Sequence, residues 1–355
     1  MKRILVTGAG GSPSTNFVRS LRATPEKFYI VGIDANKYYL MRAETSKRYL
    51  VPSVDDSHFF PIVNKIIQDE KIDFIHIQND TEMKFFSENR EMIGVNVFLP
   101  SKETVRICQN KYLSYIAWEK AGISVPKTMM INTGNDLKKA FDGFEGSMWL
   151  RATTGAGGRG SLAVENLKTA KAWIDFHSGW GTFTASELLR PESVTWMSIW
   201  KNGKLIVAQG RRRLYWELAK ISPSGITGVT GAGVTVSDSI VDDIAMKSIF
   251  AIDKKPHGLF GVDLTYNRKG IPNPTEINIG RFFTTHHFFT EAGLNMPYIY
   301  IKLAFGENIP KIKKKINPLK KNLVWIRGMD FEPILTTVSE ITRNVRTLNR
   351  QRKKL

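Results

Sequence analysis

Two hydrophobic periods alternate along this chain, and the switches between them outline its elements. The run RILVT (Arg3–Thr7) is short, largely apolar and followed by glycines, which predicts a buried strand. After it, GAGGSPSTNF leads into an apolar stripe at helical spacing through Leu21, and YIVGI (Tyr29–Ile33) predicts a second strand ending at Asp34. Strand, turn, helix and strand at this spacing open a doubly wound sheet. Strands near 74–78 and 96–99, with helices at about 57–69 and 81–92, continue it to Pro100. Ser101 then caps a helix running to about Ala121 and closed by Gly122.

Beyond residue 123 the pattern changes. Val125–Ile131, a helix over 135–143, a strand over 147–151, a helix over 168–176 and a strand over 182–188 describe a small α+β unit. Within it lies LRATTGAGGRGS, where Gly155, Gly157, Gly158 and Gly160 fall within six positions. Lacking Cβ atoms, such a loop lets a ligand reach a row of backbone N–H groups, which suits phosphate oxygens. Arg159 and Ser161 add a cation and a hydroxyl, and Arg151 sits at the preceding strand's end. The loop is not the common P-loop, because the Gly-Lys-Ser/Thr ending is absent. Alone, it reads equally as a flexible surface turn.

Alternation on both sides of Asn202-Gly203 predicts an antiparallel hairpin. Arg211, Arg212 and Arg213 follow it; neighbours alternate faces, so Arg211 and Arg213 share one. Ile226–Asp238 reads as a second glycine-rich loop, and a helix spans about 239–252. Two further strands, Gly258–Asn267 and one from Pro274 onward, are joined by Arg268-Lys269-Gly270. His286 and His287, set among phenylalanines, read as pocket wall and core.

The 355 residues, 42% of them hydrophobic and 24% charged, suffice for two or three ordinary globular domains. The opening apolar run is too short for a signal peptide, and no stretch approaches the ~20 apolar residues of a membrane helix. A single cysteine, Cys108, excludes an internal disulfide and fits a reducing cytoplasm. The net charge of +18 is uneven: residues 311–355 carry 13 Lys/Arg against 3 Asp/Glu. The basicity is mostly a property of the tail.

Candidate chemistry sharpens this outline. The opening glycines invite an NAD reading and a sugar-modifying enzyme. Pro13 stands where a third glycine belongs, however, and no Tyr-x-x-x-Lys pair exists, since Tyr115 is followed four on by Glu119. The pattern favours a structural or substrate-binding domain, and leaves Asp34 open between turn residue and ribose ligand. Asp263 and Glu276 fall on consecutive strands. Antiparallel pairing brings both carboxylates to one face, with Asn278 two residues beyond. Two carboxylates and an amide oxygen make a hard-oxygen site suited to Mg²⁺, with Mn²⁺ as a substitute.

The ordered set KYLSYIAWEKAGISVPKT, LRATTGAGGRGS, SELLRPESV, GVDL and EINIGRF resembles an ATP-grasp ligase. Within that superfamily it is most similar to short relatives of the carbamoyl-phosphate synthase large subunit, over about residues 1–310. The resemblance implies an α/β chain with an α+β ATP-grasp core. Residues 1–100 would form a Rossmann-like domain, 101–122 a connecting helix, 123–186 a small lid subdomain, 187–310 the core with the metal site, and 311–355 a basic extension. It further implies that Lys111, Arg151, Gly155, Gly157, Gly158, Gly160 and Ser161 face ATP phosphates. Glu187, Leu188 and Leu189 would meet adenine, and Glu192 the ribose. Asp263, Glu276 and Asn278 would hold magnesium. Arg281 and Arg213 are the candidates for the acyl site, although a surface strand end reads nearly as well for Arg213. The family's Lys-Pro is Arg151-Ala152 here, and its Glu-x-Asn-x-Arg is lengthened by Gly280.

The implied reaction joins a small-molecule carboxylate to an amine at the expense of ATP; ATP binding without turnover is the competing reading. In the tail, Ile334, Val338, Ile341, Val345 and Leu348 form an apolar helical stripe flanked by Arg343, Arg346, Arg350, Arg352, Lys353 and Lys354. Such a helix could dock on its own body, which the pattern slightly favours, pair with a second copy as a homodimer, or meet an anionic surface. The last would place a cytoplasmic protein at the inner membrane face or on an envelope glycan precursor. No nucleic-acid motif accompanies the charge.

Overall fold

The apolar run at the N-terminus becomes the inner strand of a parallel sheet in the computed structural model, which describes residues 1–328 and 337–354. This first unit runs β1 (Lys2–Val6), α1 (Ser12–Arg22), β2 (Phe28–Asp34), α2 (Lys37–Arg42), β3 (Lys47–Leu50), α3 (Phe59–Asp69), β4 (Phe74–His76) and α4 (Asp80–Glu88). Its strands pair in the order β3-β2-β1-β4, all parallel. The sequence reading did not anticipate β3, and the strand expected at 96–99 shrinks to one bridge between Phe74 and Asn96. Phe98 and Leu99 are buried by packing rather than held in a ladder.

The connecting segment is two helices instead of one, α5 (Lys102–Cys108) and α6 (Lys111–Lys120). Asn110 breaks the run because its side chain accepts the N–H groups of Tyr112 and Leu113 and caps the second helix. Lys111 is thereby the first residue of α6.

The small unit comprises β5 (Thr128–Ile131), α7 (Gly134–Gly143), β6 (Met148–Ala152), β7 (Leu162–Val164), α8 (Leu167–Phe176) and β8 (Phe183–Ser186). Its antiparallel sheet has the order β5-β8-β6-β7, with its own core around Ile131, Leu150, Ile174 and Ala185.

The largest sheet is antiparallel and six-stranded. It holds β9 (Ser193–Lys201), β10 (Lys204–Trp216), β11 (Thr230–Val236), β12 (Gly258–Tyr266) and β13 (Pro272–Ile279), with α9 (Ser239–Ile252) between β11 and β12. After α10 (His287–Glu291) and α11 (Met296–Ala304) comes the edge strand β14 (Val324–Ile326), giving the order β13-β12-β9-β10-β11-β14. Asn202 and Gly203 both have positive φ, 51° and 83°, the geometry that lets a two-residue turn follow the twist of β9 and β10. The hairpin does not end at Gly210; β10 carries all three arginines. Most of the supposed second glycine loop is β11. A Cβ on Gly231 would stand 2.1 Å from the Tyr215 ring, and one on Gly233 2.6 Å from Arg211 Cδ. Those glycines make room for cross-strand side chains, so glycine content here marks a strand.

The tail returns to the body. The helix α12 (Val338–Arg352) lies on α2 and β3, with Leu348 buried, Val345 half-buried, and Arg352 paired with Asp56. Val338 is exposed, and Ile334 lies outside the described residues.

Candidate active site

Register builds the site. Asp263 on β12 stands opposite Glu276 on β13 and opposite Thr195 on β9, and Thr195 stands opposite Arg211 on β10. Paired residues of neighbouring strands share a face, so Glu276, Asp263, Thr195 and Arg211 form one row across the sheet. Arg213 lies two residues along β10 on the same face, whereas Arg212 is exposed on the other. The expected alternation therefore holds.

Hydrogen bonds join this row to its surroundings. The Asp263 carboxylate accepts the Thr195 hydroxyl at 2.5 Å and the Asn278 amide N–H at 3.0 Å. The Asn278 Oδ1 accepts from Arg281 at 2.6 Å, and Arg281 grips both Asp80 oxygens at 2.7 and 3.1 Å. In the other direction Arg211 donates to Thr195 at 2.8 Å and to Thr230 at 3.0 Å. Arg213 donates to Thr230 at 3.1 Å and to Ser193 at 2.6 Å, while its guanidinium stacks 3.5 Å above Trp216. No carboxylate lies within ion-pair distance of Arg211 or Arg213 among the described residues; neutral hydroxyls hold them.

Electrostatics follow from this burial. Desolvation pushes the Arg211 pKa down to about 9, aided by Arg213 and Arg327 and opposed by Asp263. Burial likewise lowers Arg213. It raises the Asp263 carboxyl above its ordinary range, against the pull of Arg213. For Arg281, burial works toward discharge, but the Asp80 carboxylate outweighs it and holds the pKa above the ordinary value. Two cations without carboxylates and a carboxylate that resists ionisation leave room for ligands of both signs.

The opposite wall comes from the small unit. A cavity of about 780 Å³ separates the two sheets. Lys111, Arg151, Gly155, Gly157, Gly158, Ser161, Glu187, Leu188 and Leu189 line it, together with Arg213, Asp263, Glu276, Asn278 and Arg281. Lys111 Nζ donates to the Gly155 carbonyl at 2.7 Å and stands 3.6 Å from Glu276. Arg151 donates to the Thr275 carbonyl at 3.0 Å, and burial lowers its pKa. Gly158 meets Ile226 of the β10–β11 connection, where a Cβ would stand 2.7 Å from the Ile226 carbonyl oxygen. The glycine loop is therefore closed onto the large sheet's own loop rather than open.

Two expected ligand residues do not line this cavity. Gly160 packs under the Phe183 ring and gives its carbonyl to Trp173, and Glu192 is exposed beyond the wall. The Glu187 carboxylate is partly engaged by the Lys127 N–H at 3.0 Å. His286 is fully buried, as its core reading required. Residues absent from that reading, namely Thr195, Thr230, Ser193 and Asp80, are the hydroxyls and acid that orient the named ones. Only the strand order β12-β9-β10-β11 brings the hydroxyls there, and a local pattern does not reveal strand order. In the first unit, the Gly10 N–H donates to Asp34 at 3.1 Å. A protein carboxylate thus takes a donor that a dinucleotide phosphate would use.

The residues fit a divalent cation and a polyphosphate. The donor set is all oxygen: two carboxylates and the Asn278 Oδ1, which accepts from Arg281. Among the described residues no three of His, Cys, Asp and Glu gather as a metal cluster; two carboxylates suffice for Mg²⁺ when phosphate oxygens and water complete its shell. Arg151 Nε and Arg211 Nε are buried without a hydrogen-bond partner, and phosphate oxygens would satisfy both.

No family model and no curated protein sequence matches the chain. Solved structures do. The biotin carboxylase domain of Hydrogenobacter thermophilus 2-oxoglutarate carboxylase, crystallised with MgADP, ADP and bicarbonate, aligns at TM-score 0.69 and 14% identity over 91% of this chain and 73% of its own. Bacillus licheniformis L-amino acid ligase aligns at 0.67 and 11% over 86% and 74%. Staphylococcus aureus N5-carboxyaminoimidazole synthetase, complexed with ADP, aligns at 0.65 and 15% over 87% and 78%. With its parallel N-terminal sheet, small glycine-loop unit and large antiparallel sheet, the chain has the ATP-grasp fold.

Proposed function

We propose that this chain is an ATP-dependent carboxylate–amine ligase: it activates a carboxylate as an acyl phosphate and passes the acyl group to an amine, releasing ADP and phosphate. The supporting observation is the facing pair Asp263 and Glu276, with Asn278 beside them, in a cavity roofed by the glycine loop. The solved relatives named for ligase or carboxylase chemistry support the same reading. The Glu187–Leu189 segment would receive adenine, and Lys111, Arg151 and the loop N–H groups the phosphates. Asp263, Glu276 and Asn278 would hold magnesium, which neutralises phosphate charge as it shifts toward the leaving group.

The chain's residues then have defined tasks. Arg211 and Arg213 hold an anionic oxygen of the acid beside the γ-phosphate. A carboxylate oxygen bonds to the γ-phosphorus, the bond to the β-phosphate oxygen breaks, and ADP leaves. The closed glycine loop keeps water from the acyl phosphate. The amine nitrogen then bonds to the acyl carbon, phosphate departs, and the amine's surplus proton leaves with phosphate or solvent.

ADP release across pooled carboxylates and amines, with Glu276→Ala as control, tests the reading. We expect stimulation by at least one pool and its loss in the variant. Flat release in every pool, identical in both proteins, rejects the ligase.

Kinship with the carbamoyl-phosphate synthase large subunit and a cytoplasmic site belong to the same proposal. No helix among the described residues is long and apolar enough to cross a membrane. Contact with anionic lipid or glycan is supported by the exposed Lys313, Lys314, Lys315, Lys320, Arg343, Arg346 and Arg350. A homodimer through α12 has less support, because Leu348 and Val345 already face the body.

A further inference from the structure

Asp80 belongs to the N-terminal unit, yet it reaches the metal end of the site. It is the first residue of α4, capped by Asn79, and its own carbonyl accepts from Gln109 at 2.7 Å. The Asp80 carboxylate grips Arg281 through two hydrogen bonds, and the same guanidinium donates to Asn278. The Gly280 that lengthens the family spacing explains the approach. Its φ is +70°, and a Cβ there would stand 2.7 Å from Met83 Sδ and 2.5 Å from Met83 Cε, on the same helix. One helix therefore receives both the inserted glycine and the displaced arginine.

We infer that Asp80 is a positioning residue that holds the Arg281 guanidinium away from Asp263 and Glu276, so that it does not compete with a divalent cation for them. The inference rests on the metal–nucleotide site proposed above. Three carboxylates act on Arg281: Asp80, Glu276 and Asp263. Of these, Asp80 is in direct contact, and Asn278 is hydrogen-bonded to both Arg281 and Asp263. A half-buried guanidinium deprived of its partner turns to another acceptor. Without Asp80 it turns to the nearest remaining acids, which are the proposed metal ligands, and competes with the cation for them. The Asn278 amide, now bonded through Oδ1 to Arg281, follows.

The test measures binding, so it needs no knowledge of the acid or amine. Affinity for a fluorescent ATP analogue is titrated with Mn²⁺ or Mg²⁺ and repeated in EDTA, alongside thermal melts. In Asp80→Asn we expect the metal-dependent part of affinity to fall roughly 10- to 100-fold, the range for residues that orient metal ligands. Affinity in EDTA should stay within about twofold, since independent contacts are untouched. In an Arg281→Met background, which also serves if Asp80→Asn alone does not fold, adding Asp80→Asn should change metal-dependent affinity by less than about twofold, because no guanidinium remains to restrain. A parent protein with metal-dependent binding that Asp80→Asn leaves unchanged overturns the inference and spares the ligase reading. Equal losses with and without Arg281 also overturn it, by assigning Asp80 an independent role. A parent without metal-dependent binding overturns both.

Discussion

Thr195 carries a larger share of this site than its residue type announces. Its single oxygen donates to Asp263 and accepts from Arg211, joining the acid and base ends of the row. Thr195→Val keeps the shape and leaves a buried guanidinium and a half-buried carboxylate each short of a partner, at a cost of about 1–3 kcal/mol. The expected outcome is a lower melting temperature and weaker nucleotide binding, both restored by Thr195→Ser. A valine variant that matches the parent in both measurements would show that the bridge contributes nothing. Burial also sets a pH dependence. It lowers His286 to about 3 and His76 to about 4 from the ordinary 6.5. Below 6.5 the unfolded chain takes up these protons and the folded chain does not, so stability falls as pH drops toward about 4. Glu82, raised to about 7 by burial, works in the opposite direction and offsets one of the two. Burial lowers His257 and His287 as well, so urea midpoints between pH 7 and 5 should decline in the parent and decline less steeply in His286→Phe. At this scale the sequence showed Asp263, Glu276 and Asn278, because alternation on adjacent strands is local. It hid Thr195 and Asp80, which arrive by pairings distant along the chain.

Glycine separates the elements that were legible from those that were not. In the β9–β10 turn a two-residue Asn-Gly signal specifies the backbone, and the hairpin follows from it. In β11 glycine has another task, accommodating the Tyr215 ring and the Arg211 side chain, and neither neighbour is visible until strands pair. The lid loop combines both uses: Gly155 has a φ of +97° and open space around its Cβ position, whereas Gly158 has a φ of +71° and no room. Gly158→Ala must strain the backbone and separate the loop from Ile226. Because the clash lies between two loops over a cavity and not in a core, the loss should fall on closure. We expect a severalfold weaker nucleotide affinity with a melting temperature within about 4 °C of the parent, the shift of roughly 1–2 kcal/mol for a chain of this size. Unchanged affinity with a large loss of melting temperature would place the loop's role in stability instead. The split of the expected connecting helix has a similar origin, since Asn110 reads as a tolerable helix residue until its side chain is seen capping α6.

Across the whole molecule, the doubly wound opening and the small α+β unit were readable because each is built from neighbours in sequence. The tail's apolar stripe slightly favoured docking on its own body, but where it docks was not legible, because β14 adds to a strand some ninety residues earlier in the chain and α12 crosses to the first unit. That crossing gives the tail helix two faces. Val345, Leu348 and Arg352 recur at spacings of three and four and lie toward α2, β3 and Asp56. Arg343, Arg346 and Arg350 recur at three and four on the opposite side, exposed. Docking and surface contact therefore do not compete, and separate substitutions can address them. Leu348→Ala removes a buried side chain and should cost about 2–3 kcal/mol, read as a lower urea midpoint, while leaving the cationic face in place. Arg343→Glu with Arg346→Glu and Arg350→Glu should leave the urea midpoint near that of the parent and remove flotation with vesicles rich in phosphatidylglycerol, since attraction of roughly 1 kcal/mol per basic residue turns to repulsion. Raised salt should weaken the parent's flotation in the same way. Equal flotation of the parent with neutral and anionic vesicles would remove the anionic contact from the proposal and leave α12 as a clamp on the N-terminal unit.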